Sequence, residues 1–263
     1  MKKNPPRKRY KLTLEYDGTR FSGWQKQNDA RTIQGALLDT GMSLFQDQKI
    51  DVQGNGRTDA GVHALRYIAH LETITTLQPE TILSQFNDLL PNNIVLLDVE
   101  PCHPRFHSRH HCIGRSYLYQ IAKRKTAFQK RYVWWVKDEL DTRAMIETLN
   151  MFVGMHDYAS FAQKQELKKS TKVLINAAQL VETDDLITIR IVGSHFLWKM
   201  IRRMVGVLVE VGRHHQTSAE VGGFLQQPSD VPGHYTAPPS GLFFERAFYF
   251  EEEFQDFLLE ISQ

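Results

Sequence analysis

Ten consecutive residues, Gly54-Asn55-Gly56-Arg57-Thr58-Asp59-Ala60-Gly61-Val62-His63, combine three glycines, one arginine and one carboxylate with no helix or strand period. Glycine lacks a Cβ, so this backbone can turn sharply and approach a ligand closely. Arg57 and Asp59 flank Thr58, and a flexible frame thus presents a cation and an acid two residues apart. Such a pair suits acid, base or nucleophilic work on a bound ligand. The same composition also suits an Asx-type turn with solvated charges. A dinucleotide fingerprint is excluded, because the glycines run G-x-G-x-x-x-x-G and a strand, not a helix, is predicted to follow. What the segment does depends on the elements that position it.

Those elements belong to a chain of 263 residues, 41% hydrophobic and 24% charged, which is an ordinary globular composition. It is long enough for one large domain or two small ones, either with a proper core. No apolar run approaches the roughly 20 residues that span a bilayer. The N-terminal residues lack the apolar core of a signal peptide. Cys102 and Cys112 are the two cysteines, too few for a disulfide scaffold and expected as reduced thiols. These features predict a cytoplasmic protein with no membrane partner. Net charge is +2, but six of the first eleven residues are Lys or Arg. Further basic clusters stand at Lys123-Arg124-Lys125, Lys130-Arg131 and Lys164 to Lys172, while Glu251-Glu252-Glu253 gathers acid near the end. Basic clusters suit a phosphate backbone, or simply a solvated face.

Alternation of Tyr10, Leu12, Leu14 and Tyr16 with polar residues predicts a half-buried strand. Thr32 is placed to cap a helix carrying Ile33, Leu37, Leu38 and Phe45. Strands are expected over Lys49–Gln53 and Arg66–Glu72, a helix from Pro79 through Leu89, and a strand over Ile94–Glu100. The order is β-α-β-β-α-β, and the second half repeats it. There the elements are a strand over Arg115–Ala122 and a helix capped by Asp141 and stopped at Gly154. A hairpin of Lys172–Glu182 with Leu186–Val192 follows, then a helix over His195–Val211 and a strand over Phe243–Phe250. The expected architecture is α/β (α+β), with two ferredoxin-like, RRM-like halves and mainly antiparallel sheet. This gives a basic arm over 1–9, an N-terminal half over 10–104, a C-terminal half over 105–250 and an acidic tail over 251–263. The glycine-rich segment then joins two central strands and is too long for a hairpin turn. A loop of that length in a compact domain is usually functional or disordered.

Several segments together resemble one family. Gly56-Arg57-Thr58-Asp59-Ala60-Gly61-Val62-His63 is similar to the motif of the TruA-type tRNA pseudouridine synthases. Tyr16-Asp17-Gly18, Phe21 and Gly23-Trp24-Gln25-Lys26-Gln27 resemble that family's first strand and following loop. Phe106-His107-Ser108-Arg109 and Arg115-Ser116-Tyr117-Leu118-Tyr119 resemble its central segment. Phe196-Leu197-Trp198-Lys199-Met200-Ile201-Arg202-Arg203-Met204-Val205-Gly206 and Ala237-Pro238-Pro239-Ser240-Gly241-Leu242 match later parts, all in the family's order.

The resemblance implies a pseudouridine synthase fold with a central active-site cleft. It implies a cofactor-free isomerase acting on tRNA, typically in the anticodon stem-loop at positions 38, 39 and 40, and commonly working as a homodimer. Asp59 occupies the position of the family's catalytic aspartate. As a carboxylate it would attack the sugar or base, or remove a ribose proton; the sequence leaves these routes open. Tyr117 matches an active-site tyrosine that stacks on the target base, although Tyr117, Tyr119 and Ile121 also share a face that suits a core. Arg202 matches a basic residue expected to pair with the aspartate, and Arg57 is expected to help displace the target nucleotide. Arg203 reads as a phosphate contact or a solvated side chain. Trp24, Gln25 and Gln27 suit either RNA contact or loop packing, and His63 suits support of the loop.

One stretch departs from the family pattern. Cys102, His103, His107, His110, His111 and Cys112 fall within eleven residues, and the family has phenylalanine where His110 stands. Their spacing is not that of a standard structural zinc site, and no metal is expected. A non-catalytic protein with tandem RRM-like halves is the competing reading. No RNP-type aromatic motif is present to support it.

Overall fold

The computed structural model describes residues 7–47, 49–164, 168 and 170–261. Most of the 1–9 arm and part of the Lys164–Lys172 cluster therefore lie outside the described residues. The chain divides into two units. The first runs to Cys112 and includes Phe244–Ala247; the second comprises Ile113–Phe243 and the residues from Phe248 onward.

In the first unit, strand β1 (Lys8–Tyr16) leads to helix α1 (Ile33–Phe45), then strands β2 (Asp51–Gly54) and β3 (His63–Thr73). Helix α2 (Pro79–Leu89) and strand β4 (Ile94–Pro101) complete it. The strands run in the order β4-β1-β3, with β2 on β3, and all three pairings are antiparallel. This is a split β-α-β arrangement, in which β3 lies between β1 and β2. Tyr10, Leu12, Leu14 and Tyr16 are all buried, as their alternation predicts. Thr32 caps α1 by accepting a hydrogen bond from Gly35 N at 3.2 Å. Pro79 opens α2, where its missing N–H is not needed. Asn87 ties that helix to β4 through two bonds with the Leu96 backbone, at 2.9 and 2.8 Å.

The second unit holds strands β5 (Gly114–Ala122) and β6 (Trp134–Trp135), helix α3 (Thr142–Asn150), and strands β7 (Gly154–Asp157), β8 (Lys172–Glu182) and β9 (Leu186–Gly193). Helices α4 (Met200–Gly212), α5 (Ser218–Gln226), α6 (Val231–His234) and α7 (Glu251–Ile261) follow, while strand β10 (Leu242–Phe248) is shared, its residues Phe244–Ala247 belonging to the first unit. Its strand order is β5-β9-β8-β7, antiparallel, with β6 pairing parallel to β5. Among the described residues, no helix is long and apolar enough to cross a membrane.

Three expectations are corrected. The boundary between units falls at residues 112 and 113, not 104 and 105. Residues 105–112 stay with the first unit because Arg9 bonds Phe106 O at 2.7 Å and Ser108 bonds His70 and Gln53 O. The helix expected from His195 starts at Met200, since Lys199 takes the left-handed conformation (φ 62°) and breaks the period. The acidic segment 251–263 is not a tail over its described length. Its three glutamates fill the first turn of α7, where the helix dipole favours negative charge. Phe254, Phe257 and Ile261 bury one face of α7 against Phe248 and Val192.

Candidate active site

The Gly54–His63 segment leaves β2 and returns as β3, and its backbone is held by hydrogen bonds along its length. Asn55, fully buried, donates its backbone N–H to Ile68 O at 3.0 Å. Tyr67 donates its hydroxyl to Gly56 O at 2.5 Å. The Thr58 hydroxyl lies 3.0 Å from Tyr16 Oη, and Thr58 O accepts from Trp24 N at 3.1 Å. Beyond Asp59, Gly61 N donates to Phe21 O at 3.3 Å and Val62 N to Asp59 O at 3.2 Å. The Trp24 contact requires glycine at position 23. Gly23 has φ +91°, and a Cβ there would sit 2.6 Å from Thr58 O. The backbone is thus fixed on both sides of Asp59, whose side chain is half-buried, while Arg57 is exposed.

Arg57 is steered from helix α1. Its Nε donates to Gln25 Oε1 at 3.1 Å, and Gln25 Nε2 donates to Gln34 Oε1 at 2.7 Å. Gln34 is buried in α1 and donates in turn to Val52 O at 2.7 Å. Sequence reasoning missed Gln34; the signal was an amide on the first turn beside Ile33, a place where a polar group needs partners. Trp24 packs on Tyr67 with ring centroids 4.3 Å apart and is buried, so it belongs to the loop's packing. His63 is also buried. Its Nδ1 accepts from Gly18 N at 3.1 Å and lies 3.1 Å from Asp17 Oδ1, which makes it a support of the loop.

In the second unit, Tyr117 and Tyr119 separate despite sharing a face of β5. Tyr119 is fully buried, donates to Pro238 O at 2.7 Å, and has its pKa pushed well above the ordinary phenol value by burial. Tyr117 is half-buried and meets Phe196 edge-on at 5.1 Å. Phe196 lies in the turn ahead of α4. Arg202, in the first turn of α4, donates through Nε to Ala237 O at 2.7 Å, and Ala237 N returns a bond to Arg202 O at 2.9 Å. Two segments of the family resemblance are therefore joined by a reciprocal pair of bonds. Arg203 is not simply a solvated side chain. It is half-buried and bonds Ala162 O, and burial lowers its pKa while Asp230 opposes that shift.

The histidine-rich stretch is built around a residue outside it. His70, buried on β3, accepts from Ser108 N at 3.2 Å, and its pKa is lowered to about 4, chiefly by burial. His107 packs against His70 and His110, with ring centroids at 4.9 and 4.1 Å. Burial pushes the Cys102 thiol up to about 11, which makes it a poor thiolate. Among the described residues, no three His, Cys, Asp or Glu side chains form a group that could hold a metal ion.

A family profile described as tRNA pseudouridine synthase matches residues 13–110 and 149–249, which takes in the Asp59 loop, α4 and the Ala237–Leu242 segment. The chain is 36% identical over 243 residues to tRNA pseudouridine synthase A 2 of Clostridium tetani, covering 91% of this chain and 98% of that one. It is 35% identical over 244 residues to tRNA pseudouridine synthase A of Zymomonas mobilis, covering 92% and 99%. It is 33% identical over 248 residues to tRNA pseudouridine synthase A 1 of Protochlamydia amoebophila, covering 92% and 97%. A clamped aspartate loop and matches that run nearly end to end lead to one assignment: the chain belongs to the TruA-type tRNA pseudouridine synthase family.

Proposed function

We propose that this isomerase converts uridine to pseudouridine in the anticodon stem-loop of tRNA, at positions 38, 39 and 40, with the Asp59 carboxylate as its catalytic group. The observation that carries this reading is the hydrogen-bonded frame on both sides of Asp59, which holds one half-buried carboxylate within a loop matching the family motif. In the reaction the C1′–N1 bond breaks, the uracil turns and C5 bonds to C1′. The C5 proton is lost and N1 gains one, so atoms and electrons balance within the nucleotide. Asp59 starts the sequence by attack on the sugar or base, or by removing a ribose proton.

The remaining roles concern access and hold. A base paired in a stem cannot meet an enzyme carboxylate, and extruding it costs a few kcal/mol. Arg57, exposed and steered by Gln25 and Gln34, is suited to fill the space the base leaves. Tyr117 supplies a stacking surface for the target base, a contact that contributes roughly 1–3 kcal/mol. Arg202 contacts the substrate as a cation held by Ala237 O.

The test is incubation with unmodified tRNA followed by chemical mapping of pseudouridine. Product is expected at the anticodon-stem positions; product confined to another region sinks that assignment alone. Asp59→Asn, which keeps the shape and removes the charge, is expected to lower turnover by roughly a hundredfold or more. Its tRNA affinity is expected to stay within a few fold, and retained activity removes Asp59 from its role.

A further inference from the structure

The segment between β5 and β6 is left unused by the proposed chemistry, yet it is well anchored. At its ends, Lys123 N donates to Asp185 O at 2.9 Å and Val136 N to Ala122 O at 3.2 Å. Ser240 Oγ donates to Val133 O at 3.2 Å, and the Trp134 ring meets Tyr119 edge-on. Two successive turns shape the tip between these anchors. Gln129 N donates to Thr126 Oγ1 at 3.4 Å, and Tyr132 N donates to Gln129 O at 2.8 Å.

Phe128 stands on this tip with 96% of its surface exposed. Trp135, also exposed, has the Lys125 ammonium 5.7 Å from its ring centroid. Exposed Lys130 and Arg131 follow on the other side. At the start of the segment, Lys123 and Arg124 engage Glu182 and Asp185. Among the described residues, neither Lys125 nor Lys130 forms an ion pair.

A phenylalanine on a fixed turn contributes nothing to the fold when exposed, whereas burial would be worth about 1.5–3 kcal/mol. An aromatic face set among cations is the surface that holds single-stranded nucleic acid, with the ring under a base and the cations on neighbouring phosphates. A second copy of the chain fits less well. A two-fold contact would bring Lys125, Lys130 and Arg131 against the same cations.

We propose that Phe128 is a stacking platform for an unpaired base of the substrate tRNA, with Lys125, Lys130 and Arg131 on the flanking phosphates. The proposal rests on the tRNA substrate argued above and assigns Phe128 to binding, not to catalysis.

Its test compares wild type, Phe128→Ala, Phe128→Trp and the double variant Lys130→Ala/Arg131→Ala on unmodified tRNA transcripts. Kd and initial rates are measured over a salt series, and each protein alone is sedimented. Phe128→Ala is expected to raise Kd and KM at least about fivefold with kcat within about twofold, the effect of losing one stacked base. Phe128→Trp is expected to stay within about twofold of wild type. The double variant is expected to flatten log Kd against log salt by about one to two, whereas Phe128→Ala leaves that slope alone. An unchanged Kd for Phe128→Ala overturns the proposal, as does a loss that follows dissociation of a dimer in sedimentation. Wild-type protein that binds tRNA through Phe128 but makes no pseudouridine leaves this proposal standing and removes the catalytic reading.

Discussion

Burial decides which ionisable groups of the first unit carry charge near neutral pH, and His70 is the sharpest case. Its imidazole is 1% exposed and accepts a bond from Ser108 N, an arrangement that needs the neutral ring. Burial lowers its pKa to about 4, helped by the charges of Arg9 and His107 and opposed by those of Asp51 and Glu72. The ordinary value is about 6.5, so the unfolded chain takes up this proton first as pH falls. His70's contribution to stability is therefore complete above pH 6.5 and is lost progressively toward pH 4. His70→Gln removes that titration while keeping an acceptor for Ser108. Between pH 7 and pH 5, wild type is expected to lose on the order of 1–2 kcal/mol more than the variant, read from denaturant midpoints. Parallel pH curves for the two proteins refute this. Neither His70 nor Gln34 stood out in the sequence, because each acts through a partner, Ser108 or Gln25, that only the fold brings near. Asp59, Arg57, Tyr117 and Arg202 stood out because they sit inside contiguous motifs.

Among the elements, legibility followed the local signals. Helix α1 was readable because Thr32 caps it and Ile33 and Leu37 mark its inner face. The start of α4 was not, because Phe196 continues an apolar period through a turn that the left-handed Lys199 then reverses. Helix α7 was hidden behind its glutamates, although Phe254, Phe257 and Ile261 already had helical spacing. Two helix glycines show what else the sequence conceals. A Cβ on Gly206 in α4 would lie 1.3 Å from Tyr235 O, a backbone atom with no freedom to withdraw. A Cβ on Gly223 in α5 would meet nothing within 4 Å. Gly206→Ala is thus expected to destabilise by about 3 kcal/mol or more, through forced displacement of the chain near Tyr235. Gly223→Ala is expected to stabilise by about 0.5–1 kcal/mol, the helix preference for alanine over glycine. Urea midpoints at unchanged slope separate the two. Similar midpoints would mean that α4 and α6 do not pack as closely as Gly206 requires.

For the whole molecule, the β-α-β-β-α order was legible in both units because long strands and helices carry their periods openly. The short additions, β6 with two residues and α6 with four, carry no period at all. The net charge of +2 likewise conceals an uneven distribution, with cations at Lys123–Lys125 and Lys130–Arg131 and acids at Glu251–Glu253. The reaction itself sets a further expectation at this scale. Uridine and pseudouridine are isomers, so the proposed conversion leaves no electron, acyl, phosphoryl or water-derived group for a cofactor to carry. The proposal assigns the bond exchange to a protein carboxylate and a stacked base. Enzyme dialysed against a chelator is expected to keep its rate within about twofold on tRNA folded with spermidine in place of divalent ions, since the catalytic factor at stake is the roughly hundredfold or larger one assigned to Asp59. The tRNA is expected to keep its mass while gaining pseudouridine by chemical mapping. A rate that collapses on chelation and returns with one particular metal would assign part of the chemistry to an ion, and Asp59 would then have to be reconsidered as its ligand.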